Sequence, residues 1–170
     1  LYNEVCNESH SHIILNNSFE PFNPLPCLDM IKNSKSIIVD RDPRDIYASL
    51  IDTNKSFLSS HENKKTIKYI KSTANYDDIH LFIKNYRILR ENSAENNDKR
   101  ILKVSFEDFV LQNKEISNRV SQFLEIETPA YLSNSQISNS KKNVGIWKQY
   151  SHRNEIKFIE KELKPFCYKN

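Results

Sequence analysis

The chain has 170 residues, about the length of one domain, and 38% of them are hydrophobic and 11% aromatic, which is enough for a single core. Lys and Arg number 25 against 22 Asp and Glu, so the formal net charge is only +3, and this small excess does not indicate a nucleic-acid partner. No run of about 18 apolar residues and no signal peptide is present, so we expect no membrane-spanning helix and a cytoplasmic location.

The cysteines and the single glycine limit which kinds of functional site this sequence can form. Cys6, Cys27 and Cys167 lie far apart and have no histidine at ligand spacing, so we expect free thiols and no metal site. Gly145 is the only glycine, although phosphate-binding loops depend on glycines that adopt positive φ. Any glycine-rich phosphate loop must therefore lie outside this sequence.

The hydrophobic pattern predicts strands that alternate with helices. A short apolar run at residues 12–15 predicts a strand that ends in a proline-rich segment. Residues 36–41 form a β-branched run, which is typical of a strand buried on both faces of a parallel sheet. Asp42 and Pro43 then predict the start of a helix, and apolar residues at helical spacing continue it over residues 43–54.

The rest of the chain continues the same order. Residues 55–66 are polar and predict a mobile loop or the start of an insertion, whereas residues 76–89 place apolar side chains on one face of a long helix. Residues 100–106 predict a third strand, and the segment 128–143, rich in Ser and Asn, predicts a loop. Core-facing residues of two more helices are Ile116, Val120, Phe123 and Leu124, and Ile156, Ile159, Leu163 and Phe166. This order predicts one α/β domain over residues 1–170.

The junction between the second predicted strand and its helix is the strongest candidate for a site. Ligands of open α/β sheets bind at the carboxyl ends of strands, where the N–H groups of a helix N-terminus attract anions. Arg41 lies at such an end, and Ser49 follows eight residues later, about two helical turns on, so both side chains could reach one anion. The same spacing also fits a solvated ion-pair cluster that caps the helix, formed by Arg41, Asp42, Arg44 and Asp45.

Residues 36–49 read Ser-Ile-Ile-Val-Asp-Arg-Asp-Pro-Arg-Asp-Ile-Tyr-Ala-Ser. The segment resembles the 3′-phosphate-binding motif of the sulfotransferases that use 3′-phosphoadenosine 5′-phosphosulfate. In that motif an Arg at the strand end and a Ser eight residues later hold the 3′-phosphate of the donor. The resemblance therefore implies that Arg41 and Ser49 bind this phosphate.

Two further segments match the same family in the expected order. Residues 104–109 resemble the family's Tyr-Glu-Asp-Leu strand end, with Phe106 in place of the Tyr that contacts adenine. Residues 141–148 resemble the basic loop before the family's Gly-x-Trp-Lys signature, in which Lys141 or Lys142 would neutralise the 3′-phosphate. From the residues alone, the phenylalanine also fits an ordinary core position and the two lysines a solvated pair.

The resemblance implies a three-layer α/β fold of the P-loop nucleotide-binding type with a central, mainly parallel sheet. The chain corresponds to the C-terminal part of a complete sulfotransferase, so we expect the phosphosulfate-binding loop to precede it. The family's catalytic base is not carried over onto a matching residue. A Glu preceding this sequence is the first candidate and Glu20 the local one. A Golgi-type, lumenal location stays open if an anchor also precedes the sequence.

The implied activity is transfer of a sulfuryl group from 3′-phosphoadenosine 5′-phosphosulfate, without a metal ion, to a hydroxyl or amine. We expect a small-molecule or glycan acceptor, most simply a saccharide or surface glycan, bound by variable loops that include residues 52–78. One alternative is a non-catalytic nucleotide-binding or scaffold relative of the same fold. Another is a nucleotide kinase, which would need a Gly-x-x-x-x-Gly-Lys loop and would leave Arg41, Ser49 and Trp147 unexplained.

Overall fold

A computed structural model describes residues 24–60, 78–94, 97–127, 131, 133–150 and 153–169. The strand predicted at residues 12–15 and the candidate base Glu20 lie outside the described residues. In the described part of the chain, no helix is long and apolar enough to cross a membrane. The elements in chain order are α1 (Leu25–Met30), β1 (Ser36–Asp40), α2 (Pro43–Ser60), α3 (Ile79–Ala94), β2 (Ile101–Ser105), α4 (Phe106–Leu111), α5 (Asn113–Leu124), α6 (Asn134–Lys141) and α7 (Arg153–Glu162), with 3₁₀ turns at Ile146–Gln149 and Lys164–Phe166.

The two strands pair in parallel, with Ser36 opposite Ile101 and Asp40 opposite Ser105. A parallel pair needs a crossover connection, and α2 and α3 lie between the strands in the sequence. The α/β class and the parallel sheet predicted from the sequence are thus confirmed for this part of the chain. Both strands end at one edge, which we call the carboxyl edge: residues 41–45 after β1 and residues 106–108 after β2.

Two apolar clusters pack around this sheet. The first joins α2, α3 and α7 through Tyr47, Ala48, Ile83, Tyr86, Tyr150, Ile156, Ile159 and Leu163. The second packs α5 against β2 through Leu102, Val104 and Ile116, with Phe109, Val120 and Phe123 at its margin. These are the helical faces that the periodicity predicts, and they fix the helices on which the carboxyl edge depends.

Two predicted boundaries and one predicted burial pattern are wrong. Helix α2 continues to Ser60 instead of ending at residue 54, because no Gly or Pro interrupts residues 55–60. Strand β2 ends one residue early, since the Ser105 side chain accepts a hydrogen bond from the Asp108 N–H and so caps α4. Phe106 therefore opens a helix instead of closing a strand. Strand β1 is not buried on both faces, because Val39 is 60% exposed.

The segment 128–143 is also not a loop throughout, because residues 134–141 form helix α6. Ser133 and Gln136 make a reciprocal capping box, in which each side chain bonds the backbone of the other residue. Such a box satisfies two N–H groups that a helix otherwise leaves unpaired. The helix has no buried residue, so its polar composition agrees with the prediction that this segment is not part of the core.

Candidate functional site

Arg41 follows β1 at the carboxyl edge and has few partners for its charge. Its Nη2 donates to the Asn143 carbonyl at 2.8 Å, and the guanidinium carbon lies 5.1 Å from the centroid of the Phe106 ring. The Nε atom is buried and has no hydrogen-bond partner among the described residues. Within the same residues no carboxylate forms a salt bridge with Arg41.

A guanidinium that forms no salt bridge and has few hydrogen-bond partners favours binding of an anion. It presents five N–H donors in a fixed plane, of which one is used by a neutral carbonyl group. The aromatic ring beside it compensates the positive charge only in part. A phosphate could accept two of the remaining N–H groups and supply the missing negative charge.

The backbone at Arg41 is fixed from α3. The Tyr86 hydroxyl donates to the Arg41 carbonyl at 2.8 Å and lies 3.3 Å from a carboxylate oxygen of Asp40, which is ion-paired with Arg90. Burial raises the pKa of Asp40, although Arg90 opposes this shift, and burial beside Asp40 also raises the pKa of Tyr86. The tyrosine therefore stays a neutral donor, and the end of β1 is held in place.

Arg44, three residues later, has the opposite environment. Its Nη2 lies 2.6 Å from an oxygen of Asp42, its Nη1 lies 2.9 Å from Glu160, and both Arg44 and Asp42 are buried. Asp42 also accepts the Arg44 backbone N–H at 2.8 Å and so caps the start of α2. The ion-pair cluster expected at this helix is thus present, but it is buried instead of solvated, and Arg41 is not in it.

Asp45 holds the turn at residues 143–147 against the helix. One of its carboxylate oxygens accepts the Gly145 N–H at 2.7 Å, and the other accepts the Trp147 N–H at 3.1 Å. Burial raises the pKa of Asp45, while the two hydrogen bonds and the positive charge of Arg41 oppose the shift. The Trp147 ring also lies 4.1 Å below the Arg44 guanidinium, so the tryptophan anchors the turn.

Glu107 links the two strand ends. It accepts the Asp42 backbone N–H at 2.9 Å and the Ser105 hydroxyl at 2.8 Å. Close by, Tyr168 donates its backbone N–H to Asp42 at 3.1 Å and its hydroxyl to Asp108 at 2.7 Å. These contacts join residues 42, 107, 108 and 168 at the carboxyl edge.

The structure brings some of the predicted site residues together. Arg41 and Phe106 are in contact, and Lys141 and Lys142 are exposed at the end of α6, immediately before the Asn143 carbonyl that contacts Arg41. Ser49 is half-buried on α2, and within the described residues no hydrogen bond joins it to Arg41. Of the four predicted positions around the arginine, Phe106 contacts it, and the two lysines immediately precede the residue whose carbonyl contacts it.

Sequence reasoning missed the residues that hold this arrangement. It assigned no role to Asn143 and Glu107, and it placed Asp45 in a solvated cluster. A carbonyl contact such as that of Asn143 leaves no trace in a sequence, whereas Ser105 three residues before Asp108 is a capping pattern. Within the described ranges, no group of three or more His, Cys, Asp or Glu residues is arranged to hold a metal ion.

The fold and the site together define an α/β protein in which Arg41 lies at the carboxyl edge of a parallel sheet and forms no salt bridge among the described residues. The model of the Sulfotransferase family matches residues 25–130, more than half of the chain, so the chain belongs to the sulfotransferase family. The matched range includes Arg41, Ser49 and Phe106 and ends before the turn at 143–147. No curated protein and no solved structure gives a significant match to the chain.

Proposed function

We propose that this protein transfers a sulfuryl group from 3′-phosphoadenosine 5′-phosphosulfate to a hydroxyl or amine of a saccharide or surface glycan. Membership of the sulfotransferase family supports the reaction class. The observation that carries the choice of donor is Arg41, with its buried, unpartnered Nε, at the end of a strand of a parallel sheet. When bound, the donor supplies the sulfuryl group and a nucleotide leaving group.

The residues of the carboxyl edge fit the 3′-phosphate of such a donor. The phosphate carries up to two negative charges, and a planar guanidinium can bind it through two N–H groups. Lys141 and Lys142 are exposed and immediately precede Asn143, whose carbonyl contacts Arg41, so they can add positive charge beside it. We infer that Arg41 is the main 3′-phosphate ligand and that the two lysines assist it.

Ser49 and Phe106 have supporting roles in this proposal. Ser49 lies on α2, two helical turns beyond Arg41, and its hydroxyl can donate to the same phosphate once the ligand is bound. Phe106 contacts the guanidinium at 5.1 Å and keeps it extended at the edge. The family resemblance places the adenine near this ring, which offers an apolar face but no hydroxyl.

A transfer assay with the full-length protein tests the proposal. The protein is incubated with donor labelled in the sulfuryl group and with saccharide acceptors that present hydroxyl or amino groups. We expect label in a saccharide product, and Arg41→Ala should lower kcat/KM for the donor by roughly tenfold to a hundredfold, the effect of one charge-assisted contact. Arg100→Ala removes an arginine from the other edge of the sheet and should leave this ratio unchanged.

Two results would replace the proposal with an alternative. Tight binding of 3′,5′-phosphoadenosine without transfer to any acceptor would favour a non-catalytic, nucleotide-binding relative. Transfer of phosphate from ATP in the presence of Mg²⁺, with no transfer of sulfuryl label, would favour a nucleotide kinase.

A further inference from the structure

The turn at residues 143–147 is attached to the carboxyl edge at both of its ends. At its start, the Asn143 carbonyl accepts a hydrogen bond from Arg41 at 2.8 Å. At its end, the N–H groups of Gly145 and Trp147 donate to the two carboxylate oxygens of Asp45, at 2.7 and 3.1 Å. The turn is therefore placed by two side chains, that of Arg41 just before α2 and that of Asp45 in the first turn of α2.

A carboxylate at position 45 suits this turn because its two oxygens can accept the two N–H groups that the turn presents. Each oxygen accepts one N–H, and hydrogen bonds to a charged acceptor are stronger than those between neutral groups. Asp45 is 1% exposed, and a buried carboxylate is unfavourable unless its partners are well placed. A neutral side chain of the same size could not accept both N–H groups through two equivalent oxygens.

The left-handed backbone at Gly145 contributes to the match. Its φ of 75° turns the chain so that the N–H groups two residues apart point toward one carboxylate. Other residues adopt this conformation with strain, so the single glycine of the chain lies where the contact with Asp45 requires it.

We propose that Asp45 is a positioning residue for the donor's 3′-phosphate and acts through the turn at residues 143–147. By holding this turn, it keeps the Asn143 carbonyl on the Arg41 guanidinium and so fixes the direction of the guanidinium plane. The two lysines that precede the turn are kept at the same edge. This inference rests on the proposed function, because it needs the 3′-phosphate to bind at Arg41.

The variant Asp45→Asn tests this role with little change in size. Its amide oxygen still accepts one N–H, but its amide nitrogen is a donor and faces the second N–H. We expect faster amide exchange at Gly145 and Trp147. The affinity for 3′,5′-phosphoadenosine should fall about tenfold, while the affinity for AMP, which lacks the 3′-phosphate, should stay nearly the same.

The control variant is Ile116→Val, which weakens the apolar cluster between α5 and β2 without touching the turn. It should lower the melting temperature and leave both affinities unchanged in folded protein. A purely structural role for Asp45 predicts that Asp45→Asn weakens both nucleotides by the same factor, or neither. Either result would overturn the inference.

One measurement needs no variant, in case Asp45→Asn does not fold. In the wild-type protein without ligand, the amides of Gly145 and Trp147 should exchange much more slowly than the amide of Asn134, an exposed residue in the first turn of α6, where helix N–H groups have no intrahelical partner. Rapid exchange at both amides would show that the contact with Asp45 is not maintained and would overturn the inference. Equal wild-type affinities for the two nucleotides would instead overturn the donor assignment, and the inference with it.

Discussion

The two edges of the β1–β2 sheet each carry an arginine beside a strand, and their partners differ. At the amino edge, Arg100 precedes β2 and contacts Asp98 at 2.7 Å and Asp29 at 2.8 Å. At the carboxyl edge, Arg41 follows β1 and contacts one carbonyl and one aromatic ring. The charge of Arg100 is thus paired with two carboxylates, whereas Arg41 forms no salt bridge among the described residues and interacts with the Asp45 carboxylate only at longer range.

Arg44 shows that position at the carboxyl edge does not by itself create a binding residue. It lies only three residues from Arg41, yet its guanidinium is buried between Asp42 and Glu160. The two arginines differ in position. The Arg44 side chain lies against the start of α2, whereas the Arg41 side chain lies beside the end of β1. Arg44 and Arg100 therefore differ from Arg41, the candidate ligand, because each of them forms salt bridges with carboxylates.

The largest expected effect is a loss of stability, which distinguishes the buried Arg44 from the more exposed Arg100. Arg44→Ala leaves Asp42 buried without its ion-pair partner, and breaking such a pair lowers the free energy of unfolding by about 3 to 5 kcal/mol. Urea unfolding measures the change. Arg100→Ala, which removes a more exposed arginine from Asp29 and Asp98, should lower it much less, because exposed ion pairs contribute little to stability. Equal losses in the two variants would remove the contrast between these arginines.

The next effect concerns the lysines at the carboxyl edge. Replacing Lys141 and Lys142 together by Ala should weaken binding of 3′,5′-phosphoadenosine by about tenfold and flatten its dependence on salt, because exposed cations act through screened attraction. The matched control replaces Lys157 and Lys161, which are exposed on α7. Calorimetric titrations at two salt concentrations would contradict the account if both double variants behaved alike.

A smaller effect is expected at the capping box of α6. Ser133→Ala removes the side-chain oxygen that accepts the Gln136 N–H, which should weaken the helix by about 1 kcal/mol. Because α6 has no buried residue, the effect should be local. Amide exchange should accelerate in the first turn of α6 while the melting temperature changes little. A cooperative loss of the whole fold would show that α6 carries core contacts.

The smallest effect belongs to the amino edge and depends on pH. Hydrogen bonds from Arg100 lower the pKa of Asp98 from 3.8 to about 2. A carboxyl whose pKa is lower in the folded than in the unfolded protein stabilises the fold above its ordinary pKa, and this contribution is lost as the pH falls toward about 2. Asp98→Asn should therefore reduce stability at pH 6 and have little effect at pH 2, with nucleotide binding unchanged. Acid titrations of stability in both proteins would show a constant difference if the account were wrong.

Local sequence patterns predicted much of the fold. The apolar β-branched run predicted β1, and helical spacing predicted the core faces of α2, α3, α5 and α7, because burial of one face imposes its period on a helix. The boundaries near Ser105 and Ser133 were missed, since each depends on a single side-chain hydrogen bond to the backbone. Both serines precede an acidic or amide residue by three positions, which is a readable capping pattern.

The candidate site was predictable only in part. Arg41, Phe106 and the lysines were named from motifs whose order in the chain resembles the family, and the strands' parallel pairing brings the first two together. The contact between Asp45 and the turn at Gly145 joins residues 100 positions apart. Nothing in the local spacing of either segment specifies that contact, because it arises only when the chain is folded.

The affinity ratio between 3′,5′-phosphoadenosine and AMP tests the central claim most directly. It is measured by calorimetry in the wild-type protein, in Arg41→Ala and in Arg100→Ala. The account predicts a preference of at least about tenfold for the nucleotide with the 3′-phosphate in the wild type and in Arg100→Ala, and nearly equal affinities in Arg41→Ala. A preference that survives in Arg41→Ala would contradict it, because the 3′-phosphate would then be bound elsewhere.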